Sequence, residues 1–196
     1  MESVIVLGAD RVGKSTTVEE TCKLLSSAGY RHKVLHFSGI RPDHHSPVEQ
    51  FVTPLSLVDV SRADYLLLDR FVSDTLFYEP RRKGFSPIGT AFATTVESLL
   101  LSISNRVDIV LIEKQWDDEL IERHTDELLD QFPSCSRYWL SLNLEARRTE
   151  HIAYYEHTKR FLQSQTAVHP TCIHYTDDFI RSVFDVPGME VIDSSR

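Results

Sequence analysis

The sequence predicts an α/β fold, with a parallel sheet covered by helices on both faces, in a single domain over residues 1–196. Three observations predict it. The apolar runs at 3–7 and 65–68 are continuous rather than alternating, as in strands buried on both sides. Stretches with apolar residues at helical spacing separate those runs. The first run ends in a glycine-rich loop that opens a helix.

That loop reads Gly8-Ala9-Asp10-Arg11-Val12-Gly13-Lys14-Ser15-Thr16 and fits the phosphate-binding pattern G-x-x-x-x-G-K-[ST] in full. The apolar strand 3–7 precedes it. A helix over 16–27 follows, with Val18, Cys22 and Leu25 on its inner side. In this context backbone N–H groups and the helix N-terminus wrap a phosphate chain. Gly8, Gly13, Lys14, Ser15 and Thr16 are therefore the expected ATP-binding residues. Lys14 supplies a mobile charge for the outer phosphates, and the Ser15 hydroxyl is placed to ligate Mg²⁺.

A second strand is expected at 33–37. It is followed by a Pro- and His-rich loop over 41–47, then by a helix starting at Ser46-Pro47 with Glu49 completing a capping box. That helix should carry Val48, Phe51, Val52, Leu55 and Val58 on one side, and Pro54 should bend or end it. The run 65–68 closes in Asp69, the usual place for a carboxylate that helps hold Mg²⁺ beside such a loop. Helices are expected over 90–102, 117–129 and 144–162. Strands are expected at 107–112, 138–142 and 190–193. Arg81-Arg82-Lys83-Gly84 reads as a basic turn, a solvent loop in preference to a phosphate contact. His44-His45 and the pair His169 and His174 would suggest a metal only if carboxylates or further histidines converged on them, and are read as loop or core histidines.

At 196 residues, with 41% apolar and 26% charged residues, the chain is an ordinary globular domain. Its net charge of −8 argues against a surface built for a long nucleic acid, but not against a small phosphorylated ligand. Three separated cysteines form no zinc or disulfide pattern, which suits a reducing, cytoplasmic setting. The first strand begins at once, so no signal peptide is expected, and no apolar run approaches membrane-spanning length.

The loop motif together with Asp69-Arg70-Phe71 resembles the thymidylate kinase family, in the type whose phosphate loop reads G-x-D-R-x-G-K-S-T. The resemblance implies a nucleotide-kinase-like P-loop fold with a mobile lid, Mg²⁺ and ATP as cofactor and donor, and a homodimer. Asp10 would bind the acceptor sugar's 3′-hydroxyl, and Arg11 would reach the transferring phosphoryl. Arg70 would clamp the acceptor's phosphate with Arg41 nearby, and Tyr78 would pack on the sugar. Arg147 and Arg148 are candidates for lid arginines or for a solvated helix face. The acceptor side departs from the family pattern. Phe37-Ser38-Gly39-Ile40-Arg41 lacks the usual proline, Arg62 is the only arginine of the shortened segment before Asp69, and Asp74 stands where the family has serine. Asp74 is therefore a candidate contact to the acceptor base.

The implied reaction is phosphorylation of a deoxynucleoside monophosphate, dTMP or a related and modified pyrimidine nucleotide. The alternative is a kinase for a nucleoside or for a hydroxymethyl pyrimidine in DNA. A hydroxyl acceptor needs a carboxylate base. A phosphate monoester, with its second pKa near ~6, does not. The stretch after the second strand holds no acid before Asp43, which favours the phosphate acceptor. Glu113-Lys114-Gln115-Trp116 is not the N-K-x-D pattern that a GTP switch would carry.

Overall fold

The computed structural model describes residues 1–10, 12–37, 46–84, 86, 88–113, 118, 119, 122, 141–164 and 173–175. Five parallel strands form one sheet: β1 (Glu2–Gly8), β2 (His32–His36), β3 (Tyr65–Asp69), β4 (Arg106–Ile112) and β5 (Ile173–Tyr175). Their spatial order is β2-β3-β1-β4-β5. The central strand β1 pairs with β3 from Glu2↔Tyr65 to Val6↔Asp69, and with β4 from Glu2↔Arg106 to Gly8↔Ile112.

Successive residues of β1, β3 and β4 are buried irrespective of which face they point to. The apolar continuity in the sequence is thus the trace of two covered faces. The edge strand β2 is the exception, with Lys33, Val34 and His36 exposed.

Helices α1 (Lys14–Ser27), α2 (Thr53–Ser56), α3 (Val72–Lys83), α4 (Thr90–Ile103) and α5 (Leu144–Ser164) complete the described fold. A π-helical turn, Val48–Val52, runs directly into α2. Its start is the expected capping box. The Ser46 N–H donates to Glu49 Oε2 at 2.9 Å, and the Glu49 N–H donates to Ser46 Oγ at 3.2 Å. Phe51 and Leu55 are fully buried, whereas Val48 is 51% exposed and does not share their side. The wider π turn shifts the register of that first residue away from the core.

Two further expectations change, at 81–84 and at 138–142, and two fall wholly or partly outside the described residues. Residues 72–83 form α3, so Arg81-Arg82-Lys83 is the last turn of a helix and Gly84 its left-handed cap. Arg81 is exposed, but its guanidinium lies 3.7 Å from the Phe77 ring centroid and donates to the Phe77 carbonyl at 2.9 Å, so it is held along the helix. Of the strand expected at 138–142, Ser141 is helical and Leu142 is a bend. The fifth described strand is Ile173–Tyr175, and the strand expected at 190–193 lies outside the described residues. Of the helix expected over 117–129, Asp118, Glu119 and Glu122 are helical, and the remainder lies outside the described residues.

Candidate active site

The site lies where the carboxyl ends of β1, β2 and β3 meet, next to the β1–β4 boundary at which the strand order reverses. Gly8 ends β1 with no room for a side chain: a Cβ there would sit 2.7 Å from Val12 Cγ2 and 3.1 Å from the Ile112 carbonyl oxygen. Gly13 caps α1 at φ 94°, a conformation that favours glycine, and needs no side-chain cap because the loop itself delivers the helix N-terminus.

Lys14 is buried and bends back over its own loop. Its Nζ donates to the Gly8 carbonyl at 2.7 Å and to the Ala9 carbonyl at 2.6 Å. Burial, with the Arg70 charge adding to it, lowers its pKa to about 8 against the pull of Asp10, Asp74 and Asp69. The ammonium thus waits in a desolvated place with two weak neutral acceptors, which a phosphate oxygen would outbid electrostatically. Thr16, on the first turn of α1, is exposed.

Asp69 closes β3 and is 4% exposed. Its Oδ2 accepts from Ser15 Oγ at 3.1 Å and from His36 Nδ1 at 2.7 Å. Burial pushes this carboxyl up, but His36, Lys14 and Ser15 together outweigh it, and the net shift is downward. The carboxylate is therefore charged. Its Oδ1 is buried with no hydrogen-bond partner among the described residues. An anionic oxygen left over beside a serine hydroxyl is a hard-oxygen donor set suited to Mg²⁺, so Ser15 and Asp69 fit the metal expected from the sequence.

His36 was not singled out by the sequence. The signal was available: once β2 and β3 are neighbours, His36 and Asp69 are register partners at the same end of the sheet.

Arg70 follows at φ 72°, left-handed for a bulky non-glycine residue and hence strained. Its backbone N–H still donates to the Val6 carbonyl at 3.1 Å, so the main chain is held while the side chain turns back to the loop. There Nη2 meets Asp10 Oδ1 at 2.8 Å. Burial alone would lower the guanidinium pKa, but Asp10, Asp74 and Tyr78 hold it well above its usual value, and the charge is permanent.

Asp74 and Tyr78, both on α3, sit beneath the loop at 4% exposure each. Asp74 accepts a hydrogen bond from the Tyr154 hydroxyl of α5, so one of its carboxylate oxygens is held by a buried phenol. Burial raises its pKa against the pull of Arg70, Lys14 and Tyr154. The Tyr78 hydroxyl accepts from the Asp10 N–H at 3.1 Å, so this ring, expected from the resemblance to pack on the acceptor sugar, lies against the phosphate loop. Tyr154 is a further residue that the sequence did not single out for the site. Arg11 and Arg41 lie outside the described residues. Arg148 is exposed at the start of α5, and Arg147 is half-buried there. Arg62 is a surface residue paired with Asp59 at 3.1 Å.

Among the described residues no group of three or more His, Cys, Asp or Glu forms a separate metal cluster, and no helix is long and apolar enough to cross a membrane. No protein-family model matches the chain, and no curated protein matches it. Among solved structures, the chain is similar to polyphosphate kinase 2 from Arthrobacter aurescens TC1, with 15% identity and a TM-score of 0.52. The match covers 88% of this chain but only 60% of that one, so the chain spans less than two thirds of that protein. Two structures of deoxyadenosine kinase from M. mycoides, one with dCMP and dCDP and one with dATP, match at 14% identity over 89% of this chain and 90% of theirs, with TM-scores of 0.40 and 0.42. The strand order, the loop and the first of these likenesses give the chain the fold of a P-loop kinase.

Proposed function

We propose that the protein transfers the γ-phosphoryl group of ATP to a deoxynucleoside monophosphate, dTMP or a related pyrimidine nucleotide. The observation that carries this reading is the Asp10–Arg70 pair, set across the loop from Lys14. Asp10 fixes one edge of the guanidinium and leaves its other N–H groups for an anionic acceptor, for which a planar fork is well shaped.

The acceptor class follows from what the carboxylates are doing. Asp10 is paired with Arg70, Asp74 is held by Tyr154, and Asp69 Oδ2 is shared by Ser15 and His36. Each has an oxygen bonded to a neighbour, and the stretch after β2 carries no acid before Asp43, which together support an acceptor that needs no general base. A phosphate monoester is such an acceptor at neutral pH.

In this mechanism the loop N–H groups and Lys14 bind the donor's phosphates, and Lys14 leaves the Gly8 and Ala9 carbonyls to do so. Arg70 binds the acceptor phosphate and holds it for in-line attack. Arg11, next to Asp10 in the chain, supplies a further positive charge to the transferring group, and Arg41 adds to the acceptor side. Ser15 and Asp69 would hold Mg²⁺, whose chemistry is to neutralise charge on the donor's outer phosphates.

The test is a coupled ADP-release assay over deoxynucleoside monophosphates, free nucleosides and DNA containing hydroxymethyl pyrimidines. Turnover of a pyrimidine monophosphate is expected, falling by about a thousandfold in Lys14→Ala. Turnover of nucleosides or modified DNA alone would overturn the acceptor assignment. Near-normal kcat in a folded Lys14→Ala protein would overturn the phosphotransfer reading itself.

A further inference from the structure

Two phenols reach the underside of the phosphate loop from two different helices. Tyr154 of α5 accepts from the Gly8 N–H at 3.1 Å, and Tyr78 of α3 accepts from the Asp10 N–H at 3.1 Å. Two N–H groups of the loop segment are thereby turned inward, away from the face that would hold phosphate. The rings stack on each other, with centroids 5.6 Å apart and planes 24° apart, and Phe77 meets Tyr154 edge-on at 5.3 Å.

Tyr154 does more than fill space. It is fully buried, and its hydroxyl serves in both senses at once, accepting from Gly8 and donating to Asp74. A hydroxyl has one proton and can accept in addition, so this arrangement joins loop and carboxylate in one relay. Asp74 in turn is buried, with its Oδ2 lacking a hydrogen-bond partner among the described residues, so the Tyr154 bond is its principal direct anchor. Gly8 is wedged from the opposite side by Val12 and Ile112, and its carbonyl carries the Lys14 ammonium. Displacing Gly8 therefore displaces the resting point of Lys14.

We propose that Tyr154 is a positioning residue for phosphate binding: its phenol fastens Gly8 to Asp74, so that the seating of α5 against α3 sets the shape of the phosphate loop. The proposal rests on the phosphotransferase reading of the loop. It makes α5, more than 130 residues downstream of Gly8, part of the donor site without touching the donor.

Tyr154→Phe keeps the ring and removes the relay. The neighbouring Tyr155→Phe is the control: it removes a comparable buried bond on the same helix, from the Tyr155 hydroxyl to the Ile112 carbonyl at 2.7 Å. MgATP affinity measured by calorimetry, alongside Tm by circular dichroism, separates the two. Tyr154→Phe is expected to weaken MgATP about tenfold, while Tyr155→Phe lowers Tm to a similar degree without that loss. Asp74→Ala, which leaves the phenol without its acceptor, tests the same relay should Tyr154→Phe fail to fold. Asp74→Asn restores an acceptor oxygen and is expected to recover most of what Asp74→Ala loses. Unchanged affinity in Tyr154→Phe, equal losses in Tyr154→Phe and Tyr155→Phe, or no recovery in Asp74→Asn would each overturn the proposal. Wild-type protein that does not bind MgATP would instead overturn the phosphotransferase reading, and this proposal with it.

Discussion

Arg70 combines the side chain proposed to bind the acceptor phosphate with an unfavourable backbone, and the two contributions can be separated by mutation. Arg70→Ala and Arg70→Gly remove the same guanidinium and with it the same ion pair to Asp10. They differ in the left-handed φ of 72°, which glycine adopts freely and alanine does not. Arg70→Gly is expected to be about 1 kcal/mol more stable than Arg70→Ala in urea unfolding. Both should lose several kcal/mol in kcat/KM toward a monophosphate acceptor, about 2–5 kcal/mol for an anion left without its buried partner. Equal stability of the two variants would mean that the strain is relieved elsewhere.

His36 bonds one oxygen of Asp69, the carboxylate proposed to hold Mg²⁺. Holding Asp69 Oδ2, it fixes the direction of the remaining Oδ1. His36→Ala is expected to weaken Mn²⁺ binding, read by paramagnetic resonance, about tenfold, as loss of an outer-shell partner does. Both sites show how legibility varied at this scale. Lys14, Ser15, Asp69 and Arg70 were readable because their chemistry lies in contiguous motifs. Tyr154 was not, since its partners are 146 and 80 residues away and nothing local marks it as different from a packing tyrosine.

Among the elements, β1, β3 and β4 declared themselves because burial on both faces forces an unbroken apolar run. Helix α3 did not, for the converse reason. It is buried around most of its circumference, yet its buried residues include Ser73, Asp74, Thr75 and Glu79, so no apolar stripe forms. Pro80 inside the helix added a false stop signal.

Helix α4 shows a milder case. Its range was expected, and its buried face holds Ala93, Val96 and Leu100 with Glu97 among them. Burial raises the Glu97 pKa from 4.5 to about 7, and its Oε2 has no hydrogen-bond partner among the described residues. Between pH 4.5 and 7 the folded state keeps a proton that the unfolded chain has released, so this group makes stability fall as pH rises through that window. Glu97→Gln is expected to match wild type near pH 4.5 and to exceed it by pH 8. The gain should be about 1–2 kcal/mol, reduced from the full linkage value for partial solvent screening. Parallel unfolding curves of the two proteins across that range are the check.

For the molecule as a whole, the order β2-β3-β1-β4-β5 puts the strand bearing the phosphate loop in the middle of the sheet, with the Asp69 strand beside it. The most protected backbone should therefore be the backbone that aims the chemistry. Amide hydrogen exchange is expected to be slowest at 4–7, 66–68 and 109–111, and markedly faster in β2, whose outer edge has no neighbour among the described strands. Protection in β2 equal to that in β1 would show that another segment covers this edge.

The short reach from Asp69 to α3 also constrains how the chain can vary. An α-helix turns about 100° per residue. One residue inserted between Asp69 and Asp74 would rotate Asp74 away from Tyr154 and Tyr78 away from Asp10 in a single step. The same insertion just after Gly84 would leave both contacts in place. Substitution at these positions is graded, but a change of length there is all-or-none, so sequences sharing this architecture should keep the spacing from the strand-end aspartate to both side chains even where the residues differ.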